Sequence, residues 1–390
     1  MGKRKKMGLY IHIPFCLKKC NYCDFVSFKA DNETKESYMK ALLLELRDMP
    51  EKYCFDPKEY IISSVYIGGG TPSTMEGSQI YELLKRVRDN YRLSKDAEIT
   101  IEINPGTVEN DSLEIYRQAG LNRISIGLQS ANPKELALLG RIHSFEDFKK
   151  CYHMVRNKGF DNVNVDIMTA LPGQSLEKLG NTLRQLMTLG PDHISAYSLI
   201  IEPGTAFYKD YSEGGSRESE LPGEEEERRL YYYTRDFLKE WGYHQYEISN
   251  FAKKGKESKH NSAYWRRQPY IGLGLNASSL MKEIRYKNTP STKDYLKDSN
   301  NTSSFVENIV LSKEEQMDEF MFLGLRMNRG VFKADFERQF NALLLKRYGE
   351  VIKKLLKEEL IEEDKERIRL TYKGMDYGNY VFSNFYLGDY

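Results

Sequence analysis

With 390 residues, 40% of them apolar, this chain can bury a sizeable core, and its length suggests two or three domains. Fifty-eight Lys and Arg against 57 Asp and Glu leave a net charge of +1, so no global field favours nucleic acid or an anionic membrane, and only local patches stay open. No apolar run approaches the roughly 18 residues of a spanning helix. The basic opening GKRKKMGLYIHIP lacks the apolar region and small-residue cleavage site of a signal peptide. Three of the five cysteines are clustered and Cys54 and Cys151 stand alone, unlike the even spread of a disulfide scaffold. The expected address is cytoplasmic and reducing.

In chain order, the first two hundred residues alternate short apolar runs with longer helical patterns, the signature of βα units and a parallel sheet. Strands are predicted at Leu9 to Ile13, Ser64 to Ile67, Glu98 to Ile103, Arg123 to Leu128, Asn162 to Met168 and His193 to Leu199. Helices are predicted at Lys35 to Met49, Gln79 to Tyr91, Leu113 to Gln118, Pro133 to Leu139, Phe145 to Asn157 and Leu176 to Leu189, with Gly120, Gly159 and Gly190 as stops. Pattern alone supports an α/β sheet or barrel, in which chemistry sits at the carboxyl ends of the strands.

The first strand runs into YIHIPFCLKKCNYCDF, which places Cys16, Cys20 and Cys23 within eight residues and Asp24 after them. Three thiols so spaced can serve a zinc knuckle, an iron-sulfur site or nothing at all. A tetrahedral zinc site wants a fourth protein ligand, whereas a cubane held by three thiolates leaves one iron open.

Cys-x3-Cys-x2-Cys with Tyr22 before the last cysteine resembles the cluster loop of the radical SAM superfamily. The flanking Tyr10-Ile11-His12-Ile13-Pro14-Phe15 resembles the branch that holds the oxygen-independent coproporphyrinogen oxidases and the HemW-like proteins. The resemblance implies a partial (β/α)6 barrel, and a [4Fe-4S] cluster on Cys16, Cys20 and Cys23 whose open iron binds S-adenosylmethionine. It places Tyr10 and Tyr22 beside the cluster and its ligand. His12 is open between a cluster-adjacent role and a hydrogen-bonded core position.

Gly68-Gly69-Gly70-Thr71-Pro72 ends the second strand. Glycines there allow backbone amides to approach a ligand, although a plain strand-to-helix turn explains them equally. The resemblance makes Gly69, Gly70 and Thr71 contacts of the amino-acid moiety of S-adenosylmethionine. Alternation on the third strand turns Glu102 away from Ile101 and Ile103, into the barrel if those two cover the outside. A buried carboxylate needs a cationic partner, and the resemblance supplies a ligand ammonium. It likewise adds Gln129, Arg141 and Asp166, an amide, a guanidinium and a carboxylate that suit a ribose and a carboxyl group; apart from it, each could be an ordinary surface or capping residue. His143, His153 and His193 form no ligand spacing.

After Glu202-Pro203-Gly204-Thr205 the βα rhythm stops. Glu224 to Glu227 open a helix through Lys239, a normal dipole arrangement. Tyr243 to Phe251 reads as a strand, Gly272-Leu273-Gly274 as a close-packing loop, and Lys287 to Glu307 as an exposed connection. His260-Asn261-Ser262-Ala263-Tyr264-Trp265 is by chemistry a packed histidine among aromatics; the string HNxxYW is associated with haem binding in HemW-like proteins, which makes His260 a candidate haem ligand. From the capping box Ser312-Lys313-Glu314-Glu315 onward, helices at Met317 to Leu325, Phe332 to Phe340 and Gly349 to Glu358, then Leu360-Ile361 and Ile368 to Thr371, give a small winged-helix-like α+β module without the basic stripe of a DNA reader. The expected domains are 1–205 for the barrel, 206–307 for an extension carrying HNxxYW, and 308–390 for the C-terminal module.

Two departures separate the relatives. The coproporphyrinogen dehydrogenases carry a further cysteine two residues after the last ligand, where this chain has Phe25, and a long segment before the barrel, where this chain has nine residues before Tyr10. Both favour the HemW-like side: a haem chaperone with a cluster and S-adenosylmethionine in support. Its partners are haem, haem-acceptor proteins (membrane-associated respiratory enzymes being one option), and an electron donor if S-adenosylmethionine is cleaved. The alternatives are oxidative decarboxylation of coproporphyrinogen III propionates and a zinc-stabilised scaffold.

Overall fold

A computed structural model describes residues 4–297 and 305–388. Six parallel strands lie side by side in chain order: β1 (Lys5–Ile13), β2 (Tyr60–Gly69), β3 (Leu93–Ile103), β4 (Arg123–Gln129), β5 (Val163–Thr169) and β6 (His193–Ser198). Between them run α1 (Asn32–Lys52), α2 (Gly77–Asn90), α3 (Asn110–Gln118), the pair α4 (Pro133–Leu138) and α5 (Phe145–Asn157), and α6 (Leu176–Met187). Strand and helix agree with the sequence expectation, and the order is that of a partial (β/α)6 barrel. Caps fix the entries: Asp31 accepts from the Thr34 amide, and Ser144 and Asp147 form a capping box. Gly120, Gly159 and Gly190 end their helices at φ +82, +77 and +63, where a Cβ is strained.

The strands are apolar nearly throughout, since helices cover the outside; Leu9, Ile11, Val65, Ile67, Ile101, Ile124, Val165 and Ile167 are all fully buried. Polar residues break this run on the inner face, among them Tyr66, Glu102, Arg123, Ser125, Asn164, Asp166 and Ser195, which line one cavity. The exception is therefore the site.

Three readings from sequence are corrected. Tyr243 to Phe251 is not one strand but β7 (His244–Glu247) and β8 (Asn250–Ala252), a tight antiparallel pair that adds to β6. Gly272-Leu273-Gly274 belongs in part to β9 (Tyr270–Leu273), which lies parallel to β1. Lys287 to Glu307 is not an exposed connection: β10 (Ser278–Met281), β11 (Ile284–Asn288) and β12 (Phe305–Val310) extend the sheet to twelve strands, and a short helix, Thr292–Lys297, buries Tyr295. Residues 298–304 of that stretch lie outside the described residues. Short alternating strands with polar edges leave too weak a pattern to read locally; pairing with an existing sheet edge makes them.

Before these edge strands come α7 (Ala206–Tyr211) and α8 (Glu224–Glu240), and α9 (Lys259–Trp265) carries HNxxYW. The C-terminal part has its own core, from Met317 to Phe385. Three helices, Lys313–Leu325, Lys333–Phe340 and Leu344–Lys357, precede the hairpin Ile361–Glu363 and Arg367–Leu370, in the winged-helix order expected. The two-residue strand Val331–Phe332 and two short terminal helices complete it. Arg285 and the buried Arg267 both pair with Glu319, at 2.5 and 2.9 Å, and tie this module to the sheet.

Candidate functional site

The residues from Cys16 to Ser27 form a loop pinched at its base. The Cys16 amide donates to the Phe28 carbonyl at 2.9 Å and the Phe28 amide to the Pro14 carbonyl at 2.8 Å. Asn21 ties the far side of the loop to the end of α4, donating through its backbone to Leu139 and through Nδ2 to Leu138 at 2.8 Å. Cys16, Cys20 and Cys23 thereby face a cavity of about 500 Å³ at the carboxyl ends of the strands, within the ~300–1,000 Å³ range of small-molecule sites.

Eleven of the thirteen residues singled out in the sequence line this one cavity: the three cysteines, Tyr22, Gly69, Gly70, Thr71, Glu102, Gln129, Arg141 and Asp166. Tyr10 and His260 stand behind its wall. The Tyr10 hydroxyl and His12 Nδ1 share a hydrogen bond of 3.0 Å, and His12 Nε2 meets the Val26 carbonyl at 2.9 Å. His12 is thus the hydrogen-bonded core histidine, and its bond to Val26 ties the first strand to the cysteine loop.

His260 is 1% exposed, with Nδ1 at 2.9 Å from the Ser64 hydroxyl and Nε2 at 2.8 Å from Tyr264. Burial, and then the nearby Arg123, push its pKa down to about 3. The ring is neutral, as metal ligation needs, but both nitrogens are engaged and it is packed under Tyr66. In this arrangement it offers no nitrogen to a porphyrin.

At its amides the glycine stretch follows the plain-turn reading, while Gly69, Gly70 and Thr71 line the cavity. The Gly69 amide donates to Glu102 at 3.1 Å, Gly70 to Ile13 at 2.8 Å and Thr71 to Phe15 at 2.7 Å, so these amides are not held out for a ligand. The glycines are there for close approach: a Cβ on Gly70 would come within 2.9 Å of the Phe15 and Pro14 backbone, and Gly69, at φ +111, packs on the His12 ring.

Glu102 accepts from the Tyr66 hydroxyl at 2.7 Å and from Gly69, and among the described residues it makes no ion pair. Burial above all, with repulsion from Asp166, pushes its pKa up to about 7. Asp166 is also raised by burial, against hydrogen bonds from Ser125 at 2.9 Å and Asn164 at 2.8 Å. Arg141 reaches Asn104 at 2.6 Å, the Gly127 carbonyl at 2.8 Å and Cys20 Sγ at 3.6 Å, with its Nε unpartnered. The cavity therefore sets a guanidinium beside the thiols and under-neutralised carboxylates opposite. Burial raises the Cys23 thiol as well.

Sequence reasoning passed over Asn104, Arg123, Ser125 and Asn164, and set His143 aside for want of a ligand spacing; all five also line the cavity. His143 is held near a pKa of about 4 by burial and by Arg141. Ser125 and Asn164 occupy inward positions of apolar strands, and that polar interruption is the signal that could have found them.

Among the described residues, no three of His, Cys, Asp and Glu converge on a single ion. A cubane does not require it, since each iron takes its own thiolate. Three thiols opening on one cavity, a cation beside Cys20 and no fourth cysteine in the loop fit such a cluster.

The parallel strands and the thiol-lined cavity at their carboxyl ends define the radical SAM class; the profile of the Radical SAM superfamily matches residues 10–186, and that of the HemN C-terminal domain residues 311–377. The chain is 36% identical to the "Heme chaperone HemW" of Lactococcus lactis over 99% of both chains, and 34% identical to that of Bacillus subtilis over 96% of this chain and 98% of the other. It belongs to the HemW family. Its fold matches the solved structure of coproporphyrinogen III oxidase (HemN) from Escherichia coli, described as a radical SAM enzyme, with a TM-score of 0.84 at 25% identity over 99% of this chain and 91% of that one. Among the described residues no helix is long and apolar enough to cross a membrane.

Proposed function

We propose that this chain is a cytoplasmic haem chaperone that binds a [4Fe-4S] cluster and S-adenosylmethionine in the strand-end cavity and delivers haem to acceptor proteins. The observation that carries the reading is that three free thiols and an unpaired buried carboxylate share one cavity. Cys16, Cys20 and Cys23 would hold the cluster, which when bound supplies an electron to a sulfonium. Glu102 has two neutral donors and no ion pair among the described residues; the α-ammonium of S-adenosylmethionine would provide one and hold the carboxylate ionised. Gly69, Gly70 and Thr71 shape the wall beside it. Asp166 suits ribose hydroxyls, Arg141 a ligand carboxylate, and Gln129 and Tyr22 complete the lining, while Tyr10 keeps His12 and the loop in place.

In this reading residues 1–205 hold the cofactors, 206–307 close both edges of the sheet, and 308–390 pack on the side. The relatives named as haem chaperones support haem as cargo. His260 would serve as its ligand only after giving up one of its two hydrogen bonds and leaving its buried position.

The likeness to the oxidase structure keeps a second reading, oxidative decarboxylation of coproporphyrinogen III. Anaerobically reconstituted protein incubated with reductant, S-adenosylmethionine and either haem or coproporphyrinogen III separates the two. The chaperone reading expects haem binding and no vinyl product; catalytic turnover to vinyl groups would overturn it.

A further inference from the structure

A second cavity, of about 670 Å³, lies between the amino-terminal ends of β1 and β2, the end of α9 and the C-terminal module, away from the cysteine loop. Trp265 and Arg267 at the end of α9, Lys282 and Glu283 on the β10–β11 turn, and Arg329, Phe332 and Asp335 of the C-terminal module line it. Basic side chains dominate. Arg267 is spoken for by Glu283 at 2.7 Å and Glu319 at 2.9 Å, and Arg338 by Asp335 at 2.6 Å. Arg266 and Arg329 make no ion pair among the described residues, and Arg329 stands 5.7 Å above the Phe332 ring. Loss of hydration, with Arg266 as a like-charged neighbour, pushes the Arg329 guanidinium down.

Among the described residues, three buried donors on the lining find no acceptor: Trp265 Nε1, Arg267 Nη2 and Arg329 Nε. Arg267 is itself 5% exposed. Each of these groups can only donate, and a buried donor without an acceptor costs about 1–3 kcal/mol. Arg266 and Arg329 have only the field of Asp335, which is already paired with Arg338, against their charge; with the three orphan donors, set among Trp265, Phe320 and Phe332, they call for an acceptor-only anion attached to an apolar body.

We propose that this cavity binds the propionate carboxylates of the porphyrin, with Arg266 and Arg329 as their counter-charges and the aromatic residues against the macrocycle edge. This deepens the proposed haem-chaperone function and rests on it. It also gives HNxxYW a different role from ligation: the motif's histidine is locked in the interior, while its tryptophan, one turn and a half further along α9, faces the cavity.

The test uses the full, cluster-loaded protein and two ligands, haem and haem dimethyl ester, whose propionates are capped. The wild type should prefer haem by about tenfold, the effect of one charge-assisted hydrogen bond. Arg266→Met/Arg329→Met should lose the preference, while Arg329→Lys keeps part of it; circular dichroism and iron content check that each variant is folded and loaded. A wild type that prefers haem alongside a folded double variant with the same preference overturns this assignment and leaves the chaperone reading intact. A wild type that binds neither porphyrin removes the chaperone reading, and this inference with it.

Discussion

Glu45 and Glu102 are both carboxylates taken out of water, and they are treated in opposite ways. Glu45, on α1, receives Lys52 at 2.6 Å, Asn288, the Gly274 amide and the Tyr295 hydroxyl each at 2.8 Å. It arrives with its cation and a full set of donors, and so locks α1 to the strands that extend the sheet beyond β1. Glu102 receives two neutral donors and, among the described residues, no ion pair, with Arg123 acting on it only weakly, and its pKa is pushed up to about 7. A structural carboxylate is complete within the chain, whereas a site carboxylate is left for a ligand to complete.

The largest test of that contrast is Glu45→Ala. It strands a buried lysine, and urea denaturation should show a loss of about 3–5 kcal/mol; a loss below ~1 kcal/mol would erase the distinction. Next comes pH. Glu102 ordinarily titrates at 4.5 and in the fold at about 7, so between those values the folded chain keeps a proton that the unfolded chain has lost. Stability from this group is present below 4.5 and declines as pH rises to 7, by about 3 kcal/mol at ~1.4 kcal/mol per unit. Glu102→Gln should flatten this part of the profile in ligand-free protein, and an unchanged slope would count against Glu102 as its source. The smallest effect is on the ligand: the same variant should bind S-adenosylmethionine about ten- to a hundredfold more weakly in a calorimetric titration, while folding at least as stably at pH 7.5. Unchanged affinity would remove Glu102 from the site.

The first two hundred residues were legible because the buried part of each strand is a largely apolar run and several helices end on Gly120, Gly159 or Gly190 or begin on a cap, signals that are local. The strands on either side of them were not, because Ser278–Met281 and His244–Glu247 become strands only by pairing with a sheet already there. The cysteine trio and Glu102 could be singled out from residue type and position, whereas Asp166 was named only through the family resemblance. Which glycine amides are free, and which way His260 faces, could not. Both depend on partners distant in sequence: Glu102 takes the Gly69 amide across 33 residues, and Ser64 holds His260 across 196.

The central claim is that Cys16, Cys20 and Cys23 carry a cubane with one iron open to S-adenosylmethionine. Electron paramagnetic resonance of the anaerobically reconstituted, reduced protein tests it most directly, with and without S-adenosylmethionine. The account predicts a [4Fe-4S] signal that changes when S-adenosylmethionine is added and is lost when the three cysteines are replaced by serine. A protein that keeps zinc instead, or a cluster signal indifferent to both changes, would contradict it.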